Sequence, residues 1–278
     1  QDILNVLIKL EFVYEKKDTN NVIYIILRNE FHQEINDDID NTKMRDHFNK
    51  MVVDASLMPD IIRWLNKANL IDNATVNYRN KKTPSLGTKH NNLYWDAFSY
   101  TKATGINPTV GAKADTTDKM TLVVLDVVLY NEYSQLDLDG FLARVQINRN
   151  SVSKGNRKIM PIIIYKKCSD EVLGAIKKLG FLTFDIASIF GTRIYNIIHQ
   201  FKEVNQLLLS DKDLSKSIDS VLNEIKSAGQ EDALGELRGV LFELLMFPLL
   251  KQIFSGANHQ RGKTLSIIDD DKNKESYE

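Results

Sequence analysis

Apolar positions along the chain follow two spacings, and these divide it into elements. Ile3, Leu4, Leu7, Ile8 and Leu10 recur at helical spacing. The runs "FVYEKK" and "VIYIILR" flank a polar "DTNN" and predict a β-hairpin. The acidic "QEINDDIDN" reads as a connection, with Asn41 or Thr42 capping the next helix. Met44, Phe48, Met51, Val52, Ala55, Ile61, Ile62 and Leu65 then mark a long helical pattern that Pro59 splits or kinks. A short strand, "ATVNYR", and a basic loop, "NKKTPSLGTKHNN", lead to the strand-like "LYWDAFSYTKATG". The turn-rich "INPTVGAKADTTDK" separates it from the nearly continuous apolar run "KMTLVVLDVVLY". Neighbouring runs joined by turn chemistry predict an antiparallel pair.

The pattern then changes. "SQLDLDGFLARVQI" places Leu138, Phe141, Leu142 and Val145 on one helical face, and the polar, basic loop "NRNSVSKGNRK" follows. "IMPIIIY" has the unbroken apolar character of an interior parallel strand. "SDEVLGAIKKLG" reads as a capped helix closed by Gly180, and "FLTFDIASIF" as a second interior strand. Two such strands joined by a helix predict a right-handed crossover. From Thr192 the chain reads as helical, with Leu214, Ile218, Val221, Leu222 and Ile225 keeping a 3.6-residue period and the charged tail "SIIDDDKNKESYE" exposed. Three regions result: a helix and hairpin over 1–40, an α/β domain over 41–191, and a helical region over 192–278.

Composition narrows the chemistry. With 43% hydrophobic and 26% charged residues in 278, the chain has the balance of a globular protein with a sizeable core. A net charge of -1 leaves any affinity for nucleic acid to local basic patches. The single cysteine, Cys168, rules out an internal disulfide and a cysteine-based zinc cluster. It also fits a reducing compartment. Apolar stretches shorter than a bilayer span and an amino terminus without a signal-peptide pattern complete the expectation of a cytoplasmic protein that does not enter a membrane. His32, His47, His90, His199 and His259 lack paired metal-ligand spacing, and no glycine-rich phosphate loop or GxSxG elbow occurs.

What stands out is a carboxylate, Asp126, in the middle of the apolar "VVLDVV", and another, Asp96, in "YWDAF". A carboxylate in apolar surroundings needs a partner, a proton or a metal. The order helix, strand, strand with Asp96, strand with Asp126, helix, strand, helix, strand spans roughly Lys43 to Gly191. This arrangement resembles the core of the PD-(D/E)XK, or restriction-endonuclease-like, superfamily. The resemblance implies a mixed α/β sheet flanked by helices, with Asp96 and Asp126 as the two acids that hold Mg²⁺ or Mn²⁺. The metal would polarise a DNA phosphodiester and acidify a bound water, and a lysine two positions after the second acid would orient that water.

The chain departs from that pattern at the lysine, where it has Val128. Lys102, Arg144 and Gln146 are alternative polar groups near the site in sequence, Lys102 foremost, though none has the superfamily's spacing. Three readings follow: a metal-dependent endonuclease, a lapsed nuclease fold used for DNA binding or scaffolding alongside other protein subunits, or strand acids paired with buried basic groups. Under either DNA reading, Arg79, Lys81, Lys82, Lys89, Arg149, Lys154, Arg157 and Lys158 of the two basic loops would contact phosphates. Two weaker resemblances remain. "GELRGVLFELLMF" looks like the opening helix of a second such unit, with Glu243 as an auxiliary acid, and the alternative is an amphipathic packing helix. The amino-terminal helix and hairpin resemble part of a winged helix.

Overall fold

A computed structural model describes residues 2–17, 23–28, 37–71, 75–79, 87–101, 121–151, 158–207, 223, 265–268 and 274–277. The chain opens with helix α1 (Asp2–Lys9) and the antiparallel hairpin of β1 (Val13–Lys17) and β2 (Ile23–Leu27), as the pattern predicts. Tyr24 and Ile26 bury one face of the hairpin against Met44 of α2 (Asp37–Ser56), and Ile23, Ile25 and Leu27 stay exposed on the other. Helix α2 starts at Asp37, so "DDIDN" is helical and not a connection. Helix α3 (Met58–Lys67) follows a one-residue break and carries Pro59 in its first turn, where a missing N–H costs no hydrogen bond.

The main sheet contains β3 (Asn77–Tyr78), β6 (Ala97–Thr101), β7 (Thr121–Val128), β8 (Ile159–Tyr165) and β9 (Leu182–Asp185), side by side in that order. The predicted antiparallel pair is present as β6 and β7, while β7, β8 and β9 run parallel. A separate hairpin of β4 (Thr88–His90) and β5 (Leu93–Trp95) occupies part of the expected basic loop. Asn91 and Asn92 make its turn with φ of 49° and 60°, the left-handed pair that a tight hairpin requires.

Helices cover both faces of the sheet. Leu122 and Val124 of β7 pack with Leu138, Phe141 and Val145 of α4 (Gln135–Asn150) and with Val172 and Ile176 of α5 (Asp170–Lys178). Val123, Leu125 and Val127 face the other way, against Leu57, Ile61 and Leu65, and against Ile194 and Ile197 of α7 (Ile194–Leu207). Central strand β7 is therefore apolar on both faces, and its run of valines and leucines is the consequence.

Several expectations are corrected. Helix α4 continues to Asn150 and so includes Arg149, which the sequence places in a loop. Among the described strands β9 lies at the edge of the sheet, and it ends at Asp185, whose side chain caps α6 (Ile186–Phe190) by accepting from Ala187 N at 2.7 Å. "DIASIF" is thus helical. The carboxyl-terminal region is not all helical, because β10 (Leu265–Ile268) and β11 (Lys274–Tyr277) pair antiparallel within the expected charged tail. The helices expected between 208 and 264 fall almost wholly outside the described residues. Among the described residues, no helix is long and apolar enough to cross a membrane.

Candidate functional site at the end of the central strand

Strand β6 pairs with β7 only as far as Ala97 opposite Leu125, and the chain bends at Asp96. Trp95 packs with the α4 side of the sheet, whereas Ala97 packs with the α3 side. Alternation along a regular strand would put both on one face, so the bend at Asp96 breaks the register. It frees the Asp96 carboxylate to take the place of a missing ladder partner: Val127 N donates to Asp96 Oδ2 at 2.7 Å. The next two unpaired amides are met from helix α2. Leu129 N and Tyr130 N donate to Asp54 Oδ1 at 2.7 and 2.9 Å. Buried amides left without acceptors would each cost about 1–3 kcal/mol, and two carboxylates remove that cost.

Each strand acid also has a basic partner. Arg79 forms an ion pair with Asp96 Oδ1, and its backbone N donates to the Asp96 carbonyl at 2.7 Å. Arg144 of α4 donates from Nη2 to Asp126 Oδ1 at 3.0 Å, and the Tyr133 hydroxyl donates to Asp126 Oδ2 at 3.0 Å. Arg144 is itself held by the Tyr94 carbonyl at 2.8 Å, with its guanidinium 5.5 Å from the Trp95 ring centre and 5.6 Å from that of Phe141. The carboxylate inside the apolar strand is thus matched by an arginine that crosses from the covering helix.

The three acids share one field. Burial pushes the Asp126 carboxyl up to about 7, and the charge of Asp96 adds to the rise, against the pull of Arg144 and Tyr133. Asp54 is likewise pushed up to about 7, first by burial and further by Asp96, while the two backbone amides and Arg79 oppose the shift. Burial and the neighbouring Asp126 raise the Tyr133 hydroxyl far above its ordinary range, so it acts as a donor throughout.

Asp96 accepts from Val127 N, the residue after Asp126, and its charge acts on Asp126, so the two predicted metal ligands are brought together. All four of their carboxylate oxygens nevertheless accept from a protein donor: Arg79, Val127 N, Arg144 and Tyr133. Among the described residues, no group of three or more His, Cys, Asp or Glu side chains gathers to hold a metal. A site already holding two guanidinium cations does not fit Mg²⁺ or Mn²⁺ as it stands, since a hard dication needs oxygens free of competing cations. Val128, at the lysine position, packs with the α4-side core on the face of Asp126.

The other predicted residues are dispersed. Arg79, just after β3, is only 16% exposed and pairs with Asp96. Lys89 is exposed on β4, its Nζ 5.9 Å from the Tyr94 ring centre, and so stands on a strand and not in a loop. Arg149 lies half-buried in the last turn of α4, and Lys158 half-buried just before β8. Lys81, Lys82, Lys102, Lys154, Arg157 and Glu243 lie outside the described residues. Two central groups were missed by the sequence reading. Asp54 had a signal, an acid within the apolar "VVDAS" of a core-facing helix, whereas Tyr133 had none. Compared with known proteins, the chain matches no family model, no curated protein and no solved structure.

Proposed function

We propose that this chain is a restriction-endonuclease-like module that has lapsed as a nuclease and serves a cytoplasmic assembly through DNA binding or scaffolding. Support for the fold comes from the order α2–α3, β3, β6, β7, α4, β8 in a mixed sheet, with two aspartates meeting across β6 and β7. The observation that carries the lapsed reading is the one-to-one matching of the acids: Asp96 with Arg79, Asp126 with Arg144. A working metal site of this type draws a dication by an excess of negative charge. Here two guanidinium groups offset that charge, and Val128 supplies no ammonium to orient a water.

The competing reading, a Mg²⁺- or Mn²⁺-dependent endodeoxyribonuclease, is favoured by the repulsion between Asp96 and Asp126, which a dication would relieve. Thermal unfolding with and without Mn²⁺, paired with a plasmid-nicking assay, separates the two. The lapsed reading expects no metal-specific rise in Tm and no nicking. Mn²⁺-dependent nicking that disappears in Asp126→Ala would overturn it in favour of the nuclease.

A further inference from the structure

Beyond the acids, the chain leaving β7 meets a second cluster. Tyr130 follows directly on Leu129, and two ammonium groups approach its ring. Lys50 Nζ of α2 lies 6.0 Å from the ring centre and Lys202 Nζ of α7 lies 4.1 Å from it. Lys202 Nζ also donates to the Tyr130 carbonyl. Lys166, the first residue after β8, is tied to the same spot through its backbone, whose N donates to the Val128 carbonyl at 3.1 Å. Its charge acts on Lys202. Lys50 and Lys202 thus meet at the Tyr130 ring, with Lys166 at the end of the neighbouring strand, and all three are half-buried.

Among the described residues, none of the three forms an ion pair with a carboxylate. Lys167 next door does so, with Glu132 at 2.6 Å. The acid whose charge reaches Lys202 is Asp54, but its Oδ1 accepts the two amides of Leu129 and Tyr130. Burial holds the Lys166 and Lys202 ammonium groups below their ordinary range, and Lys166 lowers Lys202 further, against the opposing pull of Asp54. The cluster lies outside the carboxyl ends of the parallel strands β7 and β8, where open α/β sheets bind ligands.

We propose that Lys50, Lys166 and Lys202, gathered around Tyr130, form a binding site for a phosphate group. An oxyanion there accepts from several ammonium groups at once and removes their mutual repulsion. If the chain acts on DNA, as proposed above, the group is a backbone phosphate; otherwise it belongs to a small phosphorylated molecule.

The full chain is tested as wild type, Lys50→Gln and Lys166→Gln. Lys202 is left intact because it also holds the Tyr130 carbonyl. Thermal unfolding in inorganic phosphate is compared with chloride at equal ionic strength, and the Tm in chloride confirms that each variant folds. The expected result is a phosphate-specific rise in wild type, weakened about tenfold in apparent affinity by each substitution. In a parallel arm, fluorescence anisotropy follows a labelled DNA duplex across a salt series. A loss of about 0.9 from the slope of log K against log salt assigns the site to DNA. A weakened phosphate response with an unchanged slope assigns it to a small molecule. If neither the phosphate response nor the slope changes in either variant, the proposal is overturned. Duplex binding by wild type then still decides the DNA reading on its own.

Discussion

Replacing Asp54 by Asn should remove part of the pH dependence of folding stability. The Asp54 carboxyl is pushed from 3.8 in the open chain to about 7 in the fold. Between those values the folded protein holds a proton that the unfolded chain has released. Stability therefore falls as pH rises, by about 1.4 kcal/mol per pH unit for each such group, and the loss is complete above about pH 7. Asp126, raised to about 7 in the same field, contributes a loss of the same sign. For Asp54 alone the ceiling is about 4 kcal/mol. Asparagine keeps an oxygen to accept from Leu129 N and Tyr130 N but carries no charge. The variant should match wild type near about pH 4 and exceed it by about 2–4 kcal/mol near about pH 8. Urea unfolding at a series of pH values measures the difference. Equal pH slopes for the two proteins, or a wild type that gains stability across this range, would refute the account of Asp54 as a carboxylate forced toward neutrality.

Asp96→Ala should cost about 3 kcal/mol or more in urea unfolding, because it removes the acceptor of Val127 N and strands the mostly buried Arg79; Asp96→Asn should recover part of that loss. Val128→Lys sets an ammonium on the face of Asp126, and the lapsed reading expects a folded protein without metal-dependent plasmid nicking, since Arg144 still occupies the acid. Nicking by that variant would show that the missing lysine was the only defect. Replacing Lys81, Lys82 and Lys89 together by Ala should lower the salt slope of DNA binding by about 0.9 for each lost phosphate contact, and an unchanged slope would remove this segment from the DNA surface.

Local pattern alone was enough for much of the scaffold. The apolar runs of β7 and β8, the Pro59 break between α2 and α3, the Ser169 cap and Gly180 closure of α5, and the antiparallel pairing of β6 with β7 all rest on short-range chemistry. Periodicity, caps and turns act within a few residues, so they are written where they act. The two unusual acids were legible for a related reason: a charge in an apolar run breaks the pattern around it.

Tertiary structure decided what those acids do. Asp54 reaches an amide 75 residues away, Asp126 is answered by an arginine 18 residues on, and Asp96, at a bend in the chain, pairs with Arg79 from just after β3. Lys50 of α2 and Lys202 of α7 meet at Tyr130 for the same reason. No periodicity specifies such meetings, since each depends on how far one strand runs past its neighbour and on which helix covers its end. The edge position of β9 is of the same kind: its apolar run resembles that of an interior strand, and among the described residues no further strand pairs beside it.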